Sequence, residues 1–127
     1  MNTALILAAR LLMSQIFIIS GWSKVLGYKG TLAYFASYGL PAVAVPLVIL
    51  IELGGGILLL FGIKARWAAA VLALFSIGSA LIAHTNFADP NQVNNFMKNL
   101  AMAGGFLMFV RYGAGVPSVD ERAGGHR

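Results

Sequence analysis

The chain has 127 residues, of which 59% are hydrophobic and 10% charged, and its formal net charge is +5. Ordinary soluble domains are about a quarter charged, so this composition argues against one. Without cysteine there can be no disulfide framework, thiol relay or thiolate metal site.

The basic residues are scattered, mostly at the ends of apolar runs, which suits membrane topology and not nucleic-acid binding. The first apolar run is Ala4–Val25, "ALILAARLLMSQIFIISGWSKV". Arg10 followed by "LLMSQIFIISG" has the look of a signal peptide, but apolar residues begin before Arg10. No A-x-A-like site precedes Trp22, so a retained helix is expected. In "YKGTLAYFASYGLPA", Leu32, Phe35 and Tyr38 recur on roughly one helical face, and Gly39 and Pro41 give a stop and a restart. This predicts a short interfacial helix with Tyr28, Tyr34 and Tyr38 near headgroup level.

The second run is Pro41–Phe61, and the very short turn "GIKAR" joins it to the third, Trp67–His84, as an antiparallel hairpin. A polar loop, "HTNFADPNQVNNFMK", with a turn at Asp89–Pro90, leads to the fourth run, Asn95–Val110. Each run is near the roughly 20 residues needed to cross a hydrocarbon core, the last two being short at about 16–18. Backbone groups in lipid must be satisfied internally, and the runs are too continuous for barrel strands. The expected fold is all-α: a four-helix transmembrane bundle over residues 1–112, with the interfacial helix between helices one and two. The remainder, 113–127, containing "SVDERAGGHR", is expected to be a polar, flexible tail.

Lys64, Arg66, Arg111, Arg122 and Arg127 fall on the side of the termini, against Lys24, Lys29 and Lys98 on the other. That bias predicts that both termini are cytoplasmic. Trp22 and Trp67 at helix ends suit the headgroup region.

Glu52 stands near the middle of the second run. Arg10 lies roughly 10 Å from the cytoplasmic end and Glu52 roughly 15 Å, counting 1.5 Å per residue. A lone charge at that depth costs at least about 2.5–3.5 kcal/mol, so an Arg10–Glu52 ion pair is expected. Arg10, Ser14, Phe17, Gly21 and Lys24 share one stripe of helix one. Gly55 and Gly56 lie beside Glu52, and Ala69, Ala73, Ser76, Ala80 and Ala83 make a small-residue stripe ending near His84. Helix four offers Asn95, Lys98, Asn99 and Met102, so Lys24, His84 and Lys98 are expected to form a basic mouth. Ser14, Lys24, His84, Lys98 and Asn99 are thus candidate ligand or proton sites. Each also has a structural reading: the pair as a register pin, the lysines as snorkelling groups, the small residues as packing.

Several chemistries are unsupported. "GGG" at 54–56 has no following lysine and is no phosphate loop. His84 is the one histidine near the membrane, His126 being in the tail, so neither a bis-histidine haem nor a metal cluster is expected. No fold is present for a Rossmann-type nucleotide site.

Arg10, then "SGWSKVLG", "YFASYGLP" and "IELGGGILLLFGIKAR", and finally "NNFMKNLAMAGGFLM", resemble the DoxX family of small bacterial membrane proteins over about residues 4–111. The resemblance implies a four-helix inner-membrane bundle. Some of its members are named as subunits of thiosulfate:quinone oxidoreductase, and others are linked to membrane redox complexes or stress responses. More distant relatives include thiol-disulfide enzymes of the vitamin K epoxide reductase type, an activity this cysteine-free chain cannot carry. The expectations are therefore a quinone-linked subunit working with a partner oxidoreductase, or else a lipid-associated scaffold binding lipid or a small hydrophobe. A transporter, needing a homo-oligomer, is the third.

Overall fold

The computed structural model describes residues 3–122, and among them the regular elements are all helical, with no strand. Helix α1 (Thr3–Leu26) runs 24 residues without a proline. Its buried residues are Arg10, Ser14, Phe17 and Gly21, while Leu5, Leu11, Leu12 and Ile19 are exposed. Polar groups inward and leucines outward reverse the order of a water-soluble helix and suit a lipid surround.

After Gly27 comes α2 (Tyr28–Ser37), a ten-residue helix at the predicted place, with Phe35 buried beneath it. It ends as Gly39 takes the left-handed conformation, φ 76°. The next helix is continuous from Ala44 to Phe61 but not uniform. It comprises α3 (Ala44–Ile49), a π-helical turn (Leu50–Gly54) and α4 (Gly55–Phe61), with Glu52 in the π turn. Gly62, at φ 72°, closes α4: its N–H bonds to Leu59 O at 3.1 Å and that of Ile63 to Leu58 O at 2.8 Å.

Helix α5 (Ala65–Ala83) presents its small residues, among them Ala69, Ala73 and Ala80, to the core. Helix α6 (Pro90–Tyr112) packs chiefly along α5. It begins five residues earlier than the apolar run suggested. The "ADPN" turn is a helix start: Asp89 accepts from Asn91 N at 2.9 Å, with Pro90 in the first turn.

Three helices, Thr3–Leu26, Ala44–Phe61 and Ala65–Ala83, are long and apolar enough to cross a membrane. The polar first half of α6 keeps it out of that class. Phe17 ties the layers together, its ring 5.5 Å from that of Phe106 and 6.0 Å from that of Phe75. α1 and the Ala44–Phe61 helix are antiparallel and very close. A Cβ added at Gly56 would stand 2.8 Å from Ile18 Cγ1 and 3.3 Å from Ser14 O.

Residues 113–122 are not the loose tail that their polarity suggested. Ala114 and Ser118 are buried, and Asp120 N donates to Gly62 O at 2.8 Å. Asp120 Oδ1 and Oδ2 accept from Lys64 N at 2.7 Å and Ala65 N at 2.9 Å. These are the first N–H groups of α5, which have no partner within their own helix, and an anion there also meets the positive end of the helix dipole. The segment closes with α7 (Val119–Arg122), where Ser118 Oγ accepts from Glu121 N at 3.0 Å. The expectation for 123–127 lies outside the described residues.

Candidate functional site

Arg10 and Glu52 are not partners. Arg10 Nη1 donates to Ala114 O at 3.1 Å and to Pro117 O, and Nη2 donates to Leu60 O at 3.0 Å. The guanidinium thus binds a last-turn carbonyl of α4 and two carbonyls of the C-terminal segment, a favourable place for a cation. Glu52 pairs instead with Lys24, Nζ to Oε1 at 2.8 Å. Ser20 joins them: its Oγ donates to Glu52 Oε2 at 3.1 Å and accepts from Lys24 Nζ at 2.8 Å.

Side-chain direction explains the exchange. Every Cα–Cβ bond in a helix tilts toward the helix N-terminus. Arg10 therefore leans toward the end of α1 where the termini lie, where α4 finishes. Lys24 leans back into the molecule, over Ser20 one turn earlier. Glu52, on an antiparallel helix, leans outward to meet it. Cα heights alone put Arg10 and Glu52 within reach of each other, because an axial count ignores this lean.

The Lys24–Ser20–Glu52 cluster forms part of the wall of a cavity of about 550 Å³ between α1, the Ala44–Phe61 helix, α5 and α6. Its body is apolar, with Phe17, Phe75 and Met102 among its walls; α2 contributes Tyr34 and Phe35, and Tyr38 follows just after it. Ser76 and Ser79 of α5 line the same space, as do His84 and Asn99. His84 Nδ1 is 2.8 Å from Gln92 Oε1, which orients the ring.

Lys24, His84 and Asn99 are thus brought together with Glu52. Ser14 is buried away from the cavity and hydrogen-bonds Leu11 O at 3.3 Å. Lys98 is exposed and lines no part of the cavity, so the expected basic mouth lacks its third member. Sequence reading missed Ser20, Ser79 and the π turn. Ser20 could have been found as the residue one turn before Lys24 on the face toward Glu52. A π turn has no comparable sequence signal, although such turns are frequent at functional sites. Among the described residues no group of three or more His, Asp or Glu is placed to hold a metal ion.

The DoxX family model matches residues 5–85. Among curated proteins, the inner membrane protein YqjF of Escherichia coli strain K12 is 44% identical over 116 residues, 91% of this chain and 89% of the relative. The inner membrane protein YphA of the same organism is 35% identical over 126 residues, 93% of this chain and 89% of the relative. CatD of Bacillus subtilis strain 168, named provisionally as an oxidoreductase, is 37% identical over 75 residues, 59% of this chain and 56% of the relative. No solved structure matches the chain significantly.

Proposed function

The chain belongs to the DoxX family of membrane proteins, and we propose that it serves as the ligand-binding subunit of a quinone-linked redox complex. The observation carrying this reading is the cavity of about 550 Å³ with the Lys24–Ser20–Glu52 cluster in its wall. Small-molecule sites are typically about 300–1,000 Å³, mostly apolar, with a few convergent polar groups. A quinone ring and the start of its tail suit such walls, with Glu52 or His84 exchanging a proton at the head. The electron donor is assigned to a partner oxidoreductase subunit. CatD's provisional naming leans the same way.

In this reading α6 is the fourth span of the bundle. Its 23 residues extend about 34 Å at 1.5 Å each, and its polar first half sits at headgroup level. Both termini face the cytoplasm, on the side of Lys64, Arg66, Arg111 and Arg122. A second reading, a scaffold or lipid-binding protein, is favoured by the ion pair that ties α1 to the π turn.

Native mass spectrometry of the protein extracted in lipid nanodiscs separates the two. A co-purifying quinone that is lost from Gly78→Trp supports the redox reading. Gly78 lines the cavity, and a Cβ there meets nothing within 4 Å, so the indole enters free space. A phospholipid lost from the same variant supports lipid binding, and no retained molecule supports a scaffold. Glu52→Gln should leave a folded protein whose membranes lose quinone-dependent turnover; unchanged turnover with an intact fold would refute the redox role.

A further inference from the structure

Of the five side-chain hydroxyls lining the cavity, those of Ser20, Tyr38, Ser76 and Ser79 already have their hydrogens committed. Ser76 Oγ donates to Leu72 O at 2.8 Å and Ser79 Oγ to Phe75 O at 2.7 Å. The Tyr38 hydroxyl reaches Ala83 O at 3.4 Å, and Ser20 Oγ donates to Glu52 Oε2 at 3.1 Å. A hydroxyl carries one hydrogen and two lone pairs, so toward an occupant each of these groups is left as an acceptor. An ionised Glu52 accepts only. His84 behaves alike: with Gln92 Oε1 2.8 Å from Nδ1, the hydrogen belongs on Nδ1. The Nε2 of the neutral ring then keeps a lone pair.

The donors are fewer. Lys24 directs Nζ at Glu52 Oε1 and at Ser20 Oγ, both at 2.8 Å, which leaves one of its three hydrogens. The Asn99 amide and the Tyr34 hydroxyl, which also line the cavity, offer both kinds of group. The capacity left for an occupant is therefore weighted toward acceptors.

Resting on the reading of this cavity as a ligand site, we infer that it selects a neutral amphiphile whose head donates hydrogen bonds. The class is a phenol or hydroquinone, held in preference to the corresponding carbonyl-only quinone. Quinone oxygens would face the lone pairs of Ser76 and Ser79 and leave them unpaired. A site built around a substrate hydroxyl discriminates strongly against the analogue without one. A carboxylate head would meet Glu52 as a like charge, and an ammonium head would meet Lys24. The neutral hydroxylated head avoids both.

The test uses the full chain in nanodiscs and two probes, decylubiquinol and decylubiquinone, titrated anaerobically by calorimetry. The expected result is a quinol Kd about tenfold below that of the quinone, as one good hydrogen bond would give. The double variant Ser76→Ala/Ser79→Ala should narrow that ratio toward one by weakening quinol binding. Its hydroxyls bond only to their own helix, so the fold should persist, as circular dichroism would check. Gly78→Trp should abolish binding of both probes and so exclude simple partition into lipid. Equal binding, or tighter quinone binding, overturns the inference while leaving the cavity reading intact. A ratio unmoved in the double variant also overturns it. Binding of neither probe overturns the inference and the cavity reading together.

Discussion

Lys24 Nζ lies 2.8 Å from Glu52 Oε1, with side-chain exposures of 23% and 5%, so α1 is tied by charge to the π turn. Removing one partner of a buried pair strands the other, at about 3–5 kcal/mol when the survivor is fully enclosed. Lys24→Ala leaves the enclosed carboxylate alone and should cost more than Glu52→Ala, which leaves a lysine able to snorkel. In a double-mutant cycle read by unfolding in detergent, the two should couple by at least about 1 kcal/mol. Arg10→Ala and Glu52→Ala should add to within about 0.5 kcal/mol, as separate sites do. Coupling of Arg10 to Glu52 in place of Lys24 would contradict the geometry.

Asp120 reaches from the C-terminal segment to two N–H groups at the start of α5, at 2.7 and 2.9 Å. Asp120→Ala should lose about 0.5–2 kcal/mol, the usual worth of a cap. It should also free the segment, and faster tryptic cleavage after Arg122 would report this. Truncation after Tyr112 should cost more, because Arg10 then loses its acceptors at Ala114 and Pro117 as well. A truncated chain as stable as the parent would mean that this segment is not held.

Apolar runs, with Gly39 and Pro41 as a break, mark out the long helices, because in lipid the backbone leaves no other option, whereas the polar start of α6 and the short α7 carry no such signal. The stripe Arg10, Ser14, Phe17 and Gly21 emerged as the buried face because 3.6-residue periodicity survives whatever surrounds it. What the sequence could not supply was direction and partnership. The lean of a long side chain decides whether Arg10 or Lys24 meets Glu52, and an axial count ignores it. "SVDER" reads as a solvated tail until Gly62 and the open end of α5 are seen beneath it. His84 and Asn99 line the cavity, whereas Lys98, one residue before Asn99 on the same helix, is turned outward.

Glycines 56 and 104 should respond oppositely to alanine. At Gly56 the new methyl would stand 2.8 Å from Ile18 Cγ1 and 3.3 Å from Ile18 N, so backbone as well as side chain must move. Overpacking of this kind costs about 1–3 kcal/mol. At Gly104 nothing lies within 4 Å, and alanine gains up to about 1 kcal/mol in helix propensity. Thermal unfolding in detergent should give Gly56→Ala a lower midpoint than the parent and Gly104→Ala an equal or higher one. Similar losses at both sites would mean that α1 and α4 are not in close contact.

Lys64 adopts φ 50°, the one left-handed residue that is not glycine among those described. That turn is held by its backbone N–H, which donates to Asp120 Oδ1 at 2.7 Å. For an ordinary residue the left-handed conformation costs about 1–2 kcal/mol, which asparagine largely escapes. Glycine would escape it too, but it gives back about 0.5–1 kcal/mol through the freedom of the unfolded chain. Lys64→Asn should therefore stabilise the protein by up to about 1 kcal/mol and do better than Lys64→Gly. Arg66 keeps a positive charge at the same turn, so membrane orientation should be unchanged, as cysteine accessibility at an introduced tail position would check. A stability gain with Gly but none with Asn would point to steric crowding of the lysine and not to backbone conformation.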